Sequence, residues 1–153
     1  MTDPAALPWT CLADELGLEG SRMLFADAGR ADELLALCRD AGYTVVGVDT
    51  ETMDDFRAAQ AAVASALRLP PSAGRNLDAL ADSLGDLARY WPHTPRIVLA
   101  WTHPEGLVLN DQHGWFRLVE VLADGSDRLW RGAGADPDDR LFETLVFVDG
   151  CPT

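Results

Sequence analysis

Three aspartates recur at every fourth position in one segment of the chain: Asp78, Asp82 and Asp86. In a helix, residues four apart lie on one face, so these carboxylates would form a single stripe. A carboxylate can accept two hydrogen bonds from one arginine and can take the place of a phosphate in a cationic cleft. The spacing therefore predicts either a surface that binds a cationic partner or a plain solvated helix face.

A helix over residues 77–90 is predicted to position this stripe. Asn76 stands just before it, and its side-chain oxygen can accept a hydrogen bond from a free backbone N–H of the first turn. The stripe lies about 180 degrees from the centre of an apolar face formed by Leu77, Leu80, Leu84 and Leu87. Like charges at this spacing repel each other, so folding gains little from the stripe and a partner could gain more.

Short apolar segments alternate with helical patterns along the chain. Strands are predicted over residues 22–26, 43–49, 96–101 and 141–148, and helices over 31–41, 53–69, 77–90 and 113–123. A short helical turn is expected around residues 12–16, and a polar loop over 132–140. Because short connections join the alternating elements, the sequence predicts an α/β fold with a mainly parallel sheet covered by helices.

The composition limits the classes of partner. The chain of 153 residues has 25 Asp and Glu against 12 Lys and Arg, a net charge of -13. Such a surface repels nucleic acid and anionic lipid and attracts cationic proteins, so neither nucleic acid nor a membrane is an expected partner. The amino terminus lacks the features of a signal sequence, and Cys11, Cys38 and Cys151 have no paired spacing. A cytoplasmic protein with reduced thiols and no cofactor is therefore expected.

A second acidic group follows the predicted central strand, where α/β enzymes often place catalytic carboxylates or metal ions. It contains Asp49, Glu51, Asp54 and Asp55. These acids leave a metal-assisted hydrolase open as an alternative function, although a strand end and a helix start explain them as well. The three histidines lie in different predicted elements without a second ligand at metal-binding spacing, so no metal site is predicted.

The segment LPPSAGRNLDALADSL, residues 69–84, resembles the most characteristic segment of the barstar family. Members of that family are intracellular inhibitors of the ribonuclease barnase. The matching positions include Leu69, Pro70, Gly74, residues 76–80, Asp82 and Leu84. Downstream, the apolar segment at residues 97–101 is similar to the next strand of that family. The resemblance extends over about residues 43–149.

The resemblance implies a barstar-like fold for residues 43–153, with residues 1–42 as an N-terminal extension that adds a strand and a helix. It also implies that the protein does no chemistry itself. Such a protein inserts an acidic helix and the preceding loop into the active site of a basic, extracellular-type ribonuclease, as an antitoxin-like immunity protein would. An interaction module that binds another cationic protein is the alternative within the same fold.

By the same resemblance, individual residues acquire expected roles. Asp82 would be the central anchor in the partner, and Asp78 its charged companion. Gly74 and Asn76 would shape and present the loop, while Asp124 is a candidate for an outer acidic contact.

The sequence departs from the family pattern at three positions. Family members usually have aromatic residues in the loop before the glycine and a tryptophan before the anchoring aspartate. Here these positions are Ser72, Ala73 and Ala81. The expected contact surface therefore includes Ser72 and Ala81 but has less apolar area than is usual in the family.

Overall fold

The computed structural model describes residues 11–20, 22–131 and 138–150. The described part of the chain contains strands β1 (Met23–Asp27), β2 (Thr44–Asp49), β3 (Arg96–Thr102) and β4 (Leu141–Val148). They form a four-stranded sheet in the order β1-β4-β3-β2, and every neighbouring pair is parallel. The predicted parallel α/β fold, including the additional N-terminal strand and helix, is confirmed.

Helices connect and cover these strands. They are α1 (Leu12–Leu16), α2 (Ala31–Asp40), α3 (Phe56–Ala66), α4 (Leu77–Gly85), α5 (Leu87–Tyr90), α6 (Glu105–Asn110) and α7 (Gln112–Trp130). Two short 3-10 turns, Ala28–Arg30 and Pro71–Gly74, precede α2 and α4. Within the described ranges, no helix is both long enough and apolar enough to cross a membrane.

The helix predicted over residues 77–90 is interrupted, so that prediction was wrong in its length. Asp86 has φ -102° and ψ 27°, which departs from helical geometry and separates α4 from α5. Gly85, the last residue of α4, has a low helix propensity and favours an end there. Asp86 therefore lies at a junction between two helices, and only Asp78 and Asp82 belong to α4.

One further helix boundary differs from the predictions, and one helix was not predicted. The last helix, α7, continues to Trp130, so Asp124 lies within the helix and not at its end. The six-residue helix α6 was missed, because its apolar segment is too short to show a helical period. Residues 1–10, most of the predicted loop 132–140, and Cys151 lie outside the described residues.

The two central strands are buried on both faces. In β3, Ile97, Leu99 and Trp101 belong to a core shared with α3, α4 and α7. Val98 and Ala100 point to the other face and belong to a core shared with α1 and α2. Helices therefore cover both sides of the sheet, as expected for parallel strands.

Glu143 joins the N-terminal unit, defined here as residues 11–42, to the rest of the molecule. Its fully buried carboxylate in β4 accepts hydrogen bonds from the backbone N–H of Leu12 at 3.1 Å and from Nη1 of Arg22 at 2.9 Å. The hydroxyl of Tyr43 also donates to it, at 3.4 Å. The guanidinium group of Arg22 lies 3.8 Å from the ring centroid of Trp130. These contacts tie the unit to the sheet, while the division of the chain into domains at residue 42 stays a prediction.

Candidate functional site

The start of α4 is set by its N-cap. The side-chain oxygen of Asn76 accepts hydrogen bonds from the backbone N–H groups of Asp78 at 2.8 Å and Ala79 at 3.2 Å. In the preceding 3-10 turn, the carbonyl of Ser72 accepts from the N–H groups of Arg75 and Asn76, both at 3.1 Å. The loop and the first turn of α4 are therefore one hydrogen-bonded unit.

This loop packs closely on α3. Ala73 is fully buried, and its carbonyl accepts a hydrogen bond of 2.9 Å from the side-chain amide of Gln60. A Cβ atom at Gly74 would lie 3.1 Å from the Cα of Ala61, so the absence of a side chain allows the two backbones to approach. Ser72 remains exposed at the outer surface of the turn.

The inner face of α4 is fixed by its leucines. Leu80 and Leu84 are fully buried in the core shared with the sheet. On α7, a Cβ atom at Gly125 would lie 3.0 Å from Cδ1 of Leu84, so a glycine lets the two helices pack closely there. The orientation of the outer face of α4 is consequently determined by buried contacts on two sides.

The outer face of α4 presents its acids to solvent. Asp78 and Asp82 are both exposed, and so is Asp86 at the helix end. Among the described residues, no side-chain hydrogen bond or ion pair engages the carboxylate of Asp78 or Asp82. The carboxylates are therefore available to a partner, since no described arginine forms an ion pair with them.

Asp124 of α7 lies beside this acidic face. Together with Asp78 and Ala81 it lines a small cleft of about 230 Å³ between α4 and α7. The half-buried methyl group of Ala81 leaves this space open. Glu120, which the sequence reasoning missed, lines the same cleft, and its position one helical turn before Asp124 could have indicated it. Asp78, Asp82, Glu120 and Asp124, exposed on two adjacent helices, are called the acidic surface below.

The acids near the end of β2 form a different arrangement. Oδ1 of Asp49 accepts the backbone N–H of Glu51 at 2.9 Å and lies 3.0 Å from Nδ1 of His103. The backbone hydrogen bond, followed by the bond to His103, lowers the pKa of Asp49, and the bond to Asp49 raises the pKa of His103. Among the described residues these three exposed side chains form the group that could hold a metal ion, with ligand atoms within 4.8 Å of one another.

The register of the sheet explains why His103 joins Asp49. Asp49, the last residue of β2, pairs with Thr102, the last residue of β3. His103, which follows Thr102, therefore lies at the same edge of the sheet as Asp49. Asp54 and Asp55 do not belong to this cluster. Asp55 instead caps α3 by accepting the backbone N–H of Ala58 at 2.9 Å. Asp54 is exposed beside it.

Comparison with known proteins bears on the part of the chain that contains the acidic surface. Residues 43–147 match the family profile described as Barstar (barnase inhibitor). The matched span runs from just before β2 into β4 and includes α4 and α7, whereas the N-terminal unit lies outside it. A comparison with curated proteins gave no match.

Proposed function

The chain belongs to the barstar family, and from this membership we propose that it is a cytoplasmic inhibitor of a basic, extracellular-type ribonuclease. Its membership makes it a barnase-inhibitor-like protein. In the proposed role it acts as an antitoxin-like immunity protein and blocks the active site of its partner without catalysing a reaction.

The observation that carries this proposal is the state of Asp82 and Asp78. Both carboxylates are exposed on a helix whose opposite face is fixed by fully buried leucines. No basic side chain among the described residues pairs with them. A preformed acidic face loses little conformational entropy on binding, which favours its use as a recognition surface.

The chemistry of the proposed complex follows from these carboxylates. A ribonuclease binds RNA phosphates with cationic side chains, and those side chains can equally donate hydrogen bonds to Asp82. Once water is excluded, such charge-assisted bonds become stronger and the removal of one partner becomes costly. Asp78 and Asp124, which line the small cleft with Ala81, would contact cationic groups at the margin of the same active site.

A second candidate function is an interaction module for a different cationic protein. It is favoured by the small residues Ser72 and Ala81, which offer little apolar area at the acidic surface. An interface with this composition depends mainly on charge, and charge alone does not restrict the partner to a ribonuclease.

The two candidates can be separated by titrating ribonuclease activity with the purified protein. We expect stoichiometric inhibition of barnase, or of a small basic ribonuclease from the protein's own organism. Asp82→Ala should weaken inhibition by a factor on the order of 100 or more, because the loss of one buried charge partner costs about 2–5 kcal/mol.

The matched control is Asp40→Ala. Asp40 is exposed on α2, which packs on the opposite face of the sheet from α4, so this change alters the net charge equally. Asp40→Ala should leave inhibition within about twofold of the unaltered protein, since distant exposed charges are screened by salt. Failure of the intact protein to inhibit any basic ribonuclease would refute the inhibitor function and leave the interaction module.

A further inference from the structure

A large open cleft adjoins the acidic surface. Its volume is about 800 Å³, and it lies between the start of α3, the segment before α4 and the start of α7. Arg57, Arg75 and Arg117 line it, one from each of these three regions. The cleft shares Asp78 with the small cleft beside Ala81.

The walls that carry Arg57 and Arg117 are joined by hydrogen bonds to the side chain of Asp111. Oδ2 of Asp111 accepts the backbone N–H of Phe56 at 3.2 Å, and Oδ1 accepts that of Gly114 at 3.1 Å. The start of α3 is thereby joined to the start of α7. The backbones at Arg57 and Arg117 are consequently held near each other by a direct contact between their helices.

The guanidinium groups of the three cleft arginines, like those of Arg39, Arg89 and Arg128, form no ion pair with any described residue. All twelve basic residues of the chain are arginines, and three of them form ion pairs within the described residues: Arg22, Arg30 and Arg131. By contrast, the exposed guanidinium groups of the cleft have no hydrogen bond or ion pair with any described residue.

The acids of the cleft leave a local excess of positive charge. Asp55 and Asp78 line it with the three arginines, which gives a net charge of +1 for the lining in a chain whose total is -13. The Asp55 carboxylate is engaged in capping α3. The cleft therefore has more basic than acidic side chains in its lining, in contrast to the chain as a whole.

We propose that this cleft is an oxyanion-binding site, in which Arg57, Arg75 and Arg117 bind a doubly charged carboxylate or phosphate group. The planar guanidinium group donates paired hydrogen bonds to both kinds of oxyanion. The three groups line one cleft, so their side chains can turn toward a dianion bound there. The cleft shares Gly74, Asn76 and Asp78 with the surface proposed to bind a ribonuclease, so a partner with an anionic group beside its cationic cleft could engage both surfaces, but binding of a small dianion does not require ribonuclease inhibition.

The test measures binding of two small dianions, pyrophosphate and glutarate, in separate NMR titrations at constant ionic strength. We expect saturable shifts of the arginine side-chain signals in the cleft. The double variant Arg75→Gln/Arg117→Gln should bind the preferred anion at least tenfold more weakly. Tighter binding of pyrophosphate would identify a phosphate as the ligand group, and tighter binding of glutarate would identify a carboxylate.

Arg39→Gln is the matched control, because Arg39 is exposed on α2 at the opposite face of the sheet. It should leave the affinity unchanged within about twofold. The proposal is overturned if neither anion saturates the cleft, or if Arg39→Gln weakens binding as much as a change of Arg75 or Arg117 does. Since no ribonuclease is used, these outcomes are independent of whether the protein inhibits one.

Discussion

At the level of single residues, Glu143 is a buried acid whose environment changes its pKa. Burial raises its pKa to about 7, although the contacts with Arg22, Leu12 and Tyr43 act in the opposite direction. Burial disfavours the charged form of an acid, and here this cost exceeds the stabilisation from the three donors. The folded protein consequently keeps this proton to a higher pH than the unfolded chain does.

This pKa predicts how stability depends on pH. The contribution of Glu143 is fully present below its ordinary pKa of 4.5 and is lost as the pH rises through about 7. A difference of about 2.5 units corresponds to a change on the order of 3 kcal/mol in the free energy of unfolding. Glu143→Gln should remove this part of the decrease in stability with rising pH. Urea denaturation at pH 5 and pH 8 would measure the change.

The control for this experiment is Glu120→Gln, a change of an exposed acid on α7. It removes the same charge without altering a buried group, so the difference in stability between the two pH values should stay close to that of the unaltered protein. If Glu143→Gln kept the full decrease as well, Glu143 would not be the group responsible.

At the level of elements, the N-cap of α4 connects the loop to the acidic helix. Asn76 supplies the acceptor for two backbone N–H groups that have no carbonyl partner in the first turn. Asn76→Ala should lower the free energy of unfolding by about 1 kcal/mol, as is typical for the loss of a cap. Urea denaturation at fixed pH measures this difference.

The same substitution at another asparagine distinguishes the loss of the helix cap from the loss of an amide side chain in general. Asn110→Ala, at the exposed end of α6, removes a side chain for which no hydrogen bond is found among the described residues. It should change the stability by less than about 0.5 kcal/mol. Equal effects of the two substitutions would contradict the capping role of Asn76.

At the level of the whole molecule, the net charge of -13 predicts the kinetics of the proposed complex. A strongly negative protein is steered toward a basic ribonuclease, and salt screens that attraction. The association rate constant should fall by about tenfold or more between low and high ionic strength, with a smaller change in the dissociation rate. Stopped-flow measurements over a salt series would reveal this, and a rate constant indifferent to salt would exclude steering.

The N-terminal unit also contributes to the packing of the whole molecule. Its strand β1 pairs with β4 at the edge of the sheet, and its helices complete a second core that includes Val98 and Leu145. Residues outside the matched family span thus contribute to the packing of strands inside it. The acidic residue Glu143 within the apolar strand β4 is a local sequence feature associated with this connection.

The sequence by itself determined the features that depend on local periodicity and composition. The alternation of strands and helices, the cap at Asn76, the opposition of leucines and aspartates on α4, and the net charge could all be read from neighbouring residues. These features follow from hydrogen bonding and burial within one element, so no knowledge of distant contacts was required. The end of α4 at Gly85 was the local feature that the leucine spacing concealed, because Leu87 continues the apolar period after the break.

Only the tertiary structure decided which distant residues meet. It placed Asp124 and Glu120 beside Ala81, His103 beside Asp49, and Arg57, Arg75 and Arg117 around one cleft. It also placed the carboxyl group of Glu143 among donors that lie at least 100 residues away in the chain. Such groupings depend on strand order, register and helix packing, which result from the burial of both faces of the sheet. Because these contacts join distant residues, they leave no periodic signal within any single segment.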